Sequence, residues 1–193
     1  MERNSRASQG YKLESQIREA YGRVTYTQTC HEKMIKRFIY RNENIKISQI
    51  VLSALTTGSF LVTIISNEKI SAIIGALLSV ILLILNTYVK NFNLLEISQE
   101  HQKAANLLWK IREEYVSLLT DFEILEMIDI MNKRNELQNR TADVYSNYPR
   151  TDSKSYAEAQ KALKTDEEQT FSEKEIDVML PNSIRRCNRN IVD

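Results

Sequence analysis

Residues 47–67 carry no charged side chain, Glu68 and Lys69 follow, and residues 70–89 are again free of charge. Each run is close to the ~20 residues that an α-helix needs to cross ~30 Å of hydrocarbon. The second, ISAIIGALLSVILLILNTYV, is apolar on every side. The first, ISQIVLSALTTGSFLVTII, carries many hydroxyls, and a buried helix in a soluble bundle is its alternative reading. A cleaved leader is not expected, because the first run starts far from Met1 and no small-residue cleavage site leads into a mature domain. With so short a connection the two spans are antiparallel neighbours.

The flanks set an orientation. Lys33, Lys36, Arg37, Arg41 and Lys46 precede the first span and Lys90, Lys103 and Lys110 follow the second, whereas the tip offers Lys69 alone. Positive flanks stay inside, so both termini are expected in the cytoplasm and residues 67–69 at the far-side turn. Cys30 and Cys187 then share a reducing compartment, where a structural disulfide is not expected. The 193 residues hold 26 Lys+Arg against 25 Asp+Glu. Direct binding of nucleic acid is not expected from that balance.

Proline is missing between residue 11 and Tyr148, so the helices have no cause to stop at the bilayer surface. Before the first span, Leu13, Ile17, Ala20, Val24, Thr27, His31, Met34, Phe38, Arg41 and Ile45 step by fours and threes. After the second, Leu94, Ile97, His101, Ala104, Leu108, Ile111, Tyr115, Leu118, Phe122 and Leu125 do the same. Both arms therefore show the 3.5-residue period of a coiled coil. The seams can close on each other or on a neighbouring subunit. Leu107, Leu119, Ile124, Ile128, Ile130 and Met131 broaden the second arm's apolar face, which favours a bundle and a homo-oligomer. Beyond Tyr148-Pro149-Arg150, residues 153–163 suit a short amphipathic helix. Ser172 with Glu175 forms a capping-box spacing ahead of a second one that ends at Pro181. Arg185, Arg186 and Arg189 mark a solvated or partner-contacting tail.

The expected fold is an all-α membrane protein: a two-transmembrane hairpin continued into long cytoplasmic coiled-coil-like helices, with a short helical C-terminal tail. Its divisions are an N-terminal cytoplasmic arm (1–46), spans at 47–66 and 70–89, the turn at 67–69, a second cytoplasmic arm (90–148) and the tail (149–193).

Several residues carry functional readings. His31 and His101, the only histidines, fall in the two seams. In straight helices hinged near Asn67 and Glu68, residues whose numbers sum to about 135 share a height, which puts the imidazoles about one turn apart. They either fix register in the seam or form a pH- or metal-sensitive latch with Glu32 and Glu100 beside them. No third ligand accompanies them, so no metal is assigned. In the first span Gln49, Ser53, Thr56 and Thr63 share a broad face that either packs on a helix or lines water. Ser53, Thr56, Thr63 and Asn86 are the candidate pore-lining residues. Ser71, Gly75 and Ser79 recur every four residues in the second span, the spacing that lets helix backbones approach closely. No Gly-rich phosphate loop, nucleophile elbow or Cys-pair spacing occurs, so neither an enzyme nor a cofactor is expected.

This arrangement, with YGRVTYTQTCHEK (residues 21–33), LSALTTGSFL in the first span and the basic-flanked second span, resembles the SLATT family over residues 10–145. These are SMODS and SLOG-associating two-transmembrane effectors of bacterial anti-phage conflict systems. The resemblance implies a bacterial inner-membrane protein whose hairpin forms a pore or disrupts the lipid bilayer when its cytoplasmic helices are triggered. It also implies association with nucleotide-second-messenger synthases, SLOG domains or reverse transcriptases. The 193 residues include no SLOG or other sensor segment, so a separate partner is the expected trigger. The alternative is a membrane-anchored scaffold or assembly subunit with no conduction of its own.

Overall fold

The computed structural model describes residues 2–66 and 69–186. Helix α1 (Glu2–Ser66) is a single element of 65 residues, about 100 Å long at ~1.5 Å per residue. It contains no proline, so the N-terminal arm and the first span are one rod. Helix α2 (Lys69–Asn91) returns antiparallel along its membrane half. The far-side turn assigned to Asn67 and Glu68 lies outside the described residues, as does Cys187. The most apolar 18-residue windows of the two spans have mean hydropathies of 1.6 and 2.4, and the rest of the chain leaves their large apolar side chains uncovered. An apolar helix that finds no protein cover in this way requires lipid. The chain is an all-α membrane protein.

Only the first arm is continuous with its span. The second is interrupted at Phe92 and Asn93 before α3 (Leu94–Thr120) begins. Asn93 diverts the backbone, because its side-chain oxygen accepts the Glu96 N–H at 3.2 Å and caps the new helix. The arm breaks again after Thr120, where the N–H groups of Ile124 and Leu125 both turn back to the Asp121 carbonyl at 3.1 Å. The apolar period continued through Phe122 and Leu125 and gave no sign of this turn. Packing overrides it: by folding back, α4 (Met127–Asn147) buries Ile130, Leu137 and Val144 against α1 and α3.

Helices α1, α3 and α4 thus form a bundle outside the two spans, within one chain. Its core holds Leu13, Ile17, Ala20 and Val24 of α1 with Ala104, Leu108, Ile111, Tyr115 and Leu118 of α3. The two predicted seams meet each other, and α4 covers them. Helix α4 runs antiparallel to α3, with Glu114 held by Lys133 at 3.0 Å and by Arg140 at 2.7 Å. Of the residues expected to broaden the second arm, Ile130 is buried while Leu107, Ile124 and Ile128 stay exposed.

The C-terminal region is more than a tail. Helix α5 (Ser153–Lys164), capped by Asp152, lies on α1. Tyr156 stacks on Tyr26 with ring centroids 5.7 Å apart, Arg37 binds Asp152 at 2.5 Å, and Lys33 binds Glu168 at 2.9 Å. Helix α6 (Glu173–Met179) opens with the Ser172/Glu175 capping box, followed by a short 3-10 turn (Asn182–Ile184).

Candidate functional site: membrane hairpin and histidine seam

Where the spans meet, Gln49, Leu52, Thr56, Ser59 and Thr63 of α1 are half-buried, and across from them stand Ser71, Gly75, Leu78, Leu82 and Leu85 of α2. Both sets step by threes and fours, the pattern of a left-handed helix pair. Gly75 is the one buried residue of α2. A Cβ added there would lie 3.3 Å from the Cβ of Ser59, so glycine is what lets the backbones approach. Ser71 sits one turn away in the same seam, whereas Ser79 is exposed outside it.

The candidate lining residues do not share one environment. Thr56 and Thr63 lie in the hairpin seam, and their hydroxyls donate to their own helix, at 2.8 Å to the Leu52 carbonyl and 2.9 Å to that of Ser59. Ser53 and Asn86 are exposed on the outer surface. Asn86 accepts a hydrogen bond from Gln49 Nε2 at 2.8 Å, an amide bridge across the hairpin. At ~100° per residue, Ser53 and Thr57 of α1 and Ser79, Ala76 and Ala72 of α2 continue along the flank that this bridge marks. Phe60 and Ile64 complete it toward the far side. The opposite flank is Val51, Leu55 and Val62 of α1 with Ile74, Leu77 and Ile81 of α2, all apolar and exposed. The hairpin therefore has one polar side and one lipid-like side.

About 24 Å below the start of the first span, by helix rise, the two histidines meet. Their Nδ1 atoms are 2.8 Å apart, and both side chains are buried. Phe38 stacks on His101 with ring centroids 5.7 Å apart. Equal-height counting placed the imidazoles a turn apart; in the structure they touch. The reason is the interruption at Phe92 and Asn93. Gln49 and Asn86, above it, obey the expected sum of 135, but His31 and His101, below it, sum to 132. Non-helical residues advance up to ~3.3 Å each against ~1.5 Å in a helix, so this short link slides α3 along α1 by nearly one turn.

Burial, followed by the neighbouring His101, lowers the pKa of His31 to about 4. That of His101 is lowered by burial first and by Arg37 next, against an opposing pull from Asp152. Both rings are consequently neutral near pH 7, and a single Nδ1–H bridges them. Of the neighbouring carboxylates, Glu100 is paired with Lys103 at 2.6 Å. Among the described residues no group of three or more His, Cys, Asp or Glu side chains converges. Cys30 is buried beside Ser155 of α5, and burial raises its thiol pKa.

Beside the pair lies a polar junction that no motif announced. Arg112 of α3 reaches Gln28 of α1 at 3.0 Å and Gln169 at 2.5 Å, while Gln169 donates to Thr29 Oγ1 at 2.9 Å. Gln28 and Thr29 are both buried on α1, and buried polar side chains require partners, which Arg112 and Gln169 supply.

The chain matches the model of the SMODS and SLOG-associating 2TM effector domain family 4 over residues 13–175, which include the arms, both spans and α5. Comparisons with curated proteins and with solved structures give no match.

Proposed function

The chain belongs to the SMODS and SLOG-associating 2TM effector domain family 4 and is thus a membrane effector of conflict systems; on that premise we propose that it assembles into an oligomer whose hairpins open a path through the bacterial inner membrane. The polar flank of the hairpin carries this reading. Gln49, Ser53, Thr57, Ser79 and Asn86 turned toward lipid would leave amide and hydroxyl groups facing hydrocarbon, which is costly, whereas turned toward an oligomer axis they meet one another or water. Ser53 and Asn86 remain lining residues. Thr56 and Thr63 become packing residues of the hairpin, along with Gly75.

The cytoplasmic bundle supplies the trigger. Helix α1 runs unbroken from bundle to far side, so its rotation is transmitted directly, while the Phe92 and Asn93 link lets α2 move relative to α3. Positive flanks place both termini in the cytoplasm, where a separate sensor, nucleotide synthase or reverse transcriptase would act on the bundle.

A scaffold with no conduction is the second reading. It is favoured by the threonine hydroxyls that already bond their own backbone and need no water. Dye and ion leakage after induced expression, in the native chain and in S53L/N86L, separates the two. A pore leaks in the native chain and loses conduction in the variant. Intact membrane potential in cells where the complete system is activated would remove the pore.

A further inference from the structure

The cytoplasmic bundle contains a cleft that helix packing alone leaves unfilled. Its volume is about 390 Å³, within the range of sites that hold small molecules. Thr27 and His31 of α1 form one wall, Tyr145 and Tyr148 at the end of α4 another, and Pro149 and Arg150 of the link to α5 the rim.

Several observations there point to a ligand. His31 is only 3% exposed, and its Nδ1 is committed to His101. Its Nε2 has no hydrogen-bond partner among the described residues and is not one of the sealed, unpaired buried atoms, so it is open to the cleft that His31 lines. Arg150, exposed at the rim, forms no ion pair among the described residues, as is also true of Arg41 and Arg134, so its guanidinium is available to an anion in the cleft. The Tyr145 hydroxyl lies 3.1 Å from Thr27 Oγ1, which spends its own proton on the Arg23 carbonyl, so Tyr145 is the donor of that pair. No carboxylate lines the cleft. The rings of Tyr148 and Pro149 add a flat apolar surface.

We propose that this cleft binds a small organic anion, an aromatic carboxylate or a phosphate monoester, whose acidic group is held between Arg150 and His31 Nε2–H and whose body lies against Tyr148 and Pro149. An acceptor at Nε2 selects the His31 tautomer that carries its proton there. His101 must then donate through its own Nδ1–H, so the occupied cleft fixes the one hydrogen bond that joins α1 to α3 at this level. Binding itself is independent of the pore. Any effect of the ligand on conduction rests on that reading.

The full chain in detergent is tested with phenyl phosphate, benzoate and inorganic phosphate, by thermal unfolding and by imidazole 15N NMR, which has only two histidines to assign. At least one aromatic anion raises the unfolding midpoint and moves the His31 Nε2 resonance, with inorganic phosphate weaker. R150Q, an exposed change that leaves the bundle folded, weakens binding about tenfold or more through loss of a charge-assisted contact. R18Q, on the far part of α1, leaves it unchanged. No stabilisation by either aromatic anion at millimolar concentration, equal protection of R150Q, or equal protection by inorganic phosphate would overturn the proposal. Because binding is read without conduction, a chain that binds but does not leak refutes only the pore.

Discussion

At Gly75 an added Cβ would stand 3.3 Å from the Cβ of Ser59, tighter than ordinary contact, so the spans tolerate little there. Gly75→Val adds atoms that two packed backbones cannot yield to and is expected to cost about 1–3 kcal/mol in the detergent-solubilised chain, seen as a lower unfolding midpoint. Ser59→Gly on the same chain should recover part of the loss; no recovery would mean the strain lies elsewhere. The histidines make a separate prediction. Their folded pKa values lie below the ordinary value near 6.5, that of His31 at about 4, so the unfolded chain binds more protons between those limits. The stabilisation from the neutral pair is complete above about pH 6.5 and is lost as pH falls toward 4. Thermal unfolding across that range should show the decline, and H31L/H101L, which removes both partners together, should flatten it. Among single positions, the seam residues were readable from spacing. Gln49 as the partner of Asn86 was not, because pairing across the hairpin depends on the handedness with which two helices face each other.

The link at Phe92 and Asn93 is the element on which register depends. Asn93 caps α3 by accepting the Glu96 N–H, and losing such a cap costs about 1 kcal/mol. F92A/N93A supplies two helix formers in place of a cap and is expected to fuse α2 with α3, moving α3 back by about one turn. In a background without the native cysteines, disulfide trapping between positions 31 and 101 should then give way to trapping between 31 and 104. Undiminished trapping at 31 and 101 would show that core packing, not the link, sets the register. The Asn-containing break falls between the charge-free second span and the apolar stripe that begins at Leu94, and neither pattern fixes how the two connect. The turn after Thr120 was hidden because Phe122 keeps the period and remains packed on the core.

At the scale of the whole molecule, the region after Pro149 is a strap across α1. Three ion pairs hold it, Arg37 with Asp152 and, at 4.0 Å, with Glu158, and Lys33 with Glu168. The Arg37 guanidinium holds the Asp152 carboxyl down at about pKa 2, so this pair is complete above the ordinary carboxylate pKa and fails only as pH falls toward 2. The carboxylates are substantially exposed, so each pair contributes at most about 1 kcal/mol. Removing both cations, K33Q/R37Q, should loosen α5 and speed proteolysis between Pro149 and Gln169 while circular dichroism stays helical; unchanged cleavage would mean that Tyr26, Tyr156 and the buried Ala159 and Ala162 hold it without them. Sequence by itself determined the two spans, their antiparallel order and the apolar stripes of both arms. Each of these is a local pattern, a charge-free length or a repeat of three and four, that any helix must obey. Tertiary structure alone decided that the stripes close within one chain, that α4 folds back over them, that the histidines touch, and that the strap docks. Those outcomes depend on residues far apart in sequence and on a link only two residues long, and no periodicity in either partner encodes the distance between them.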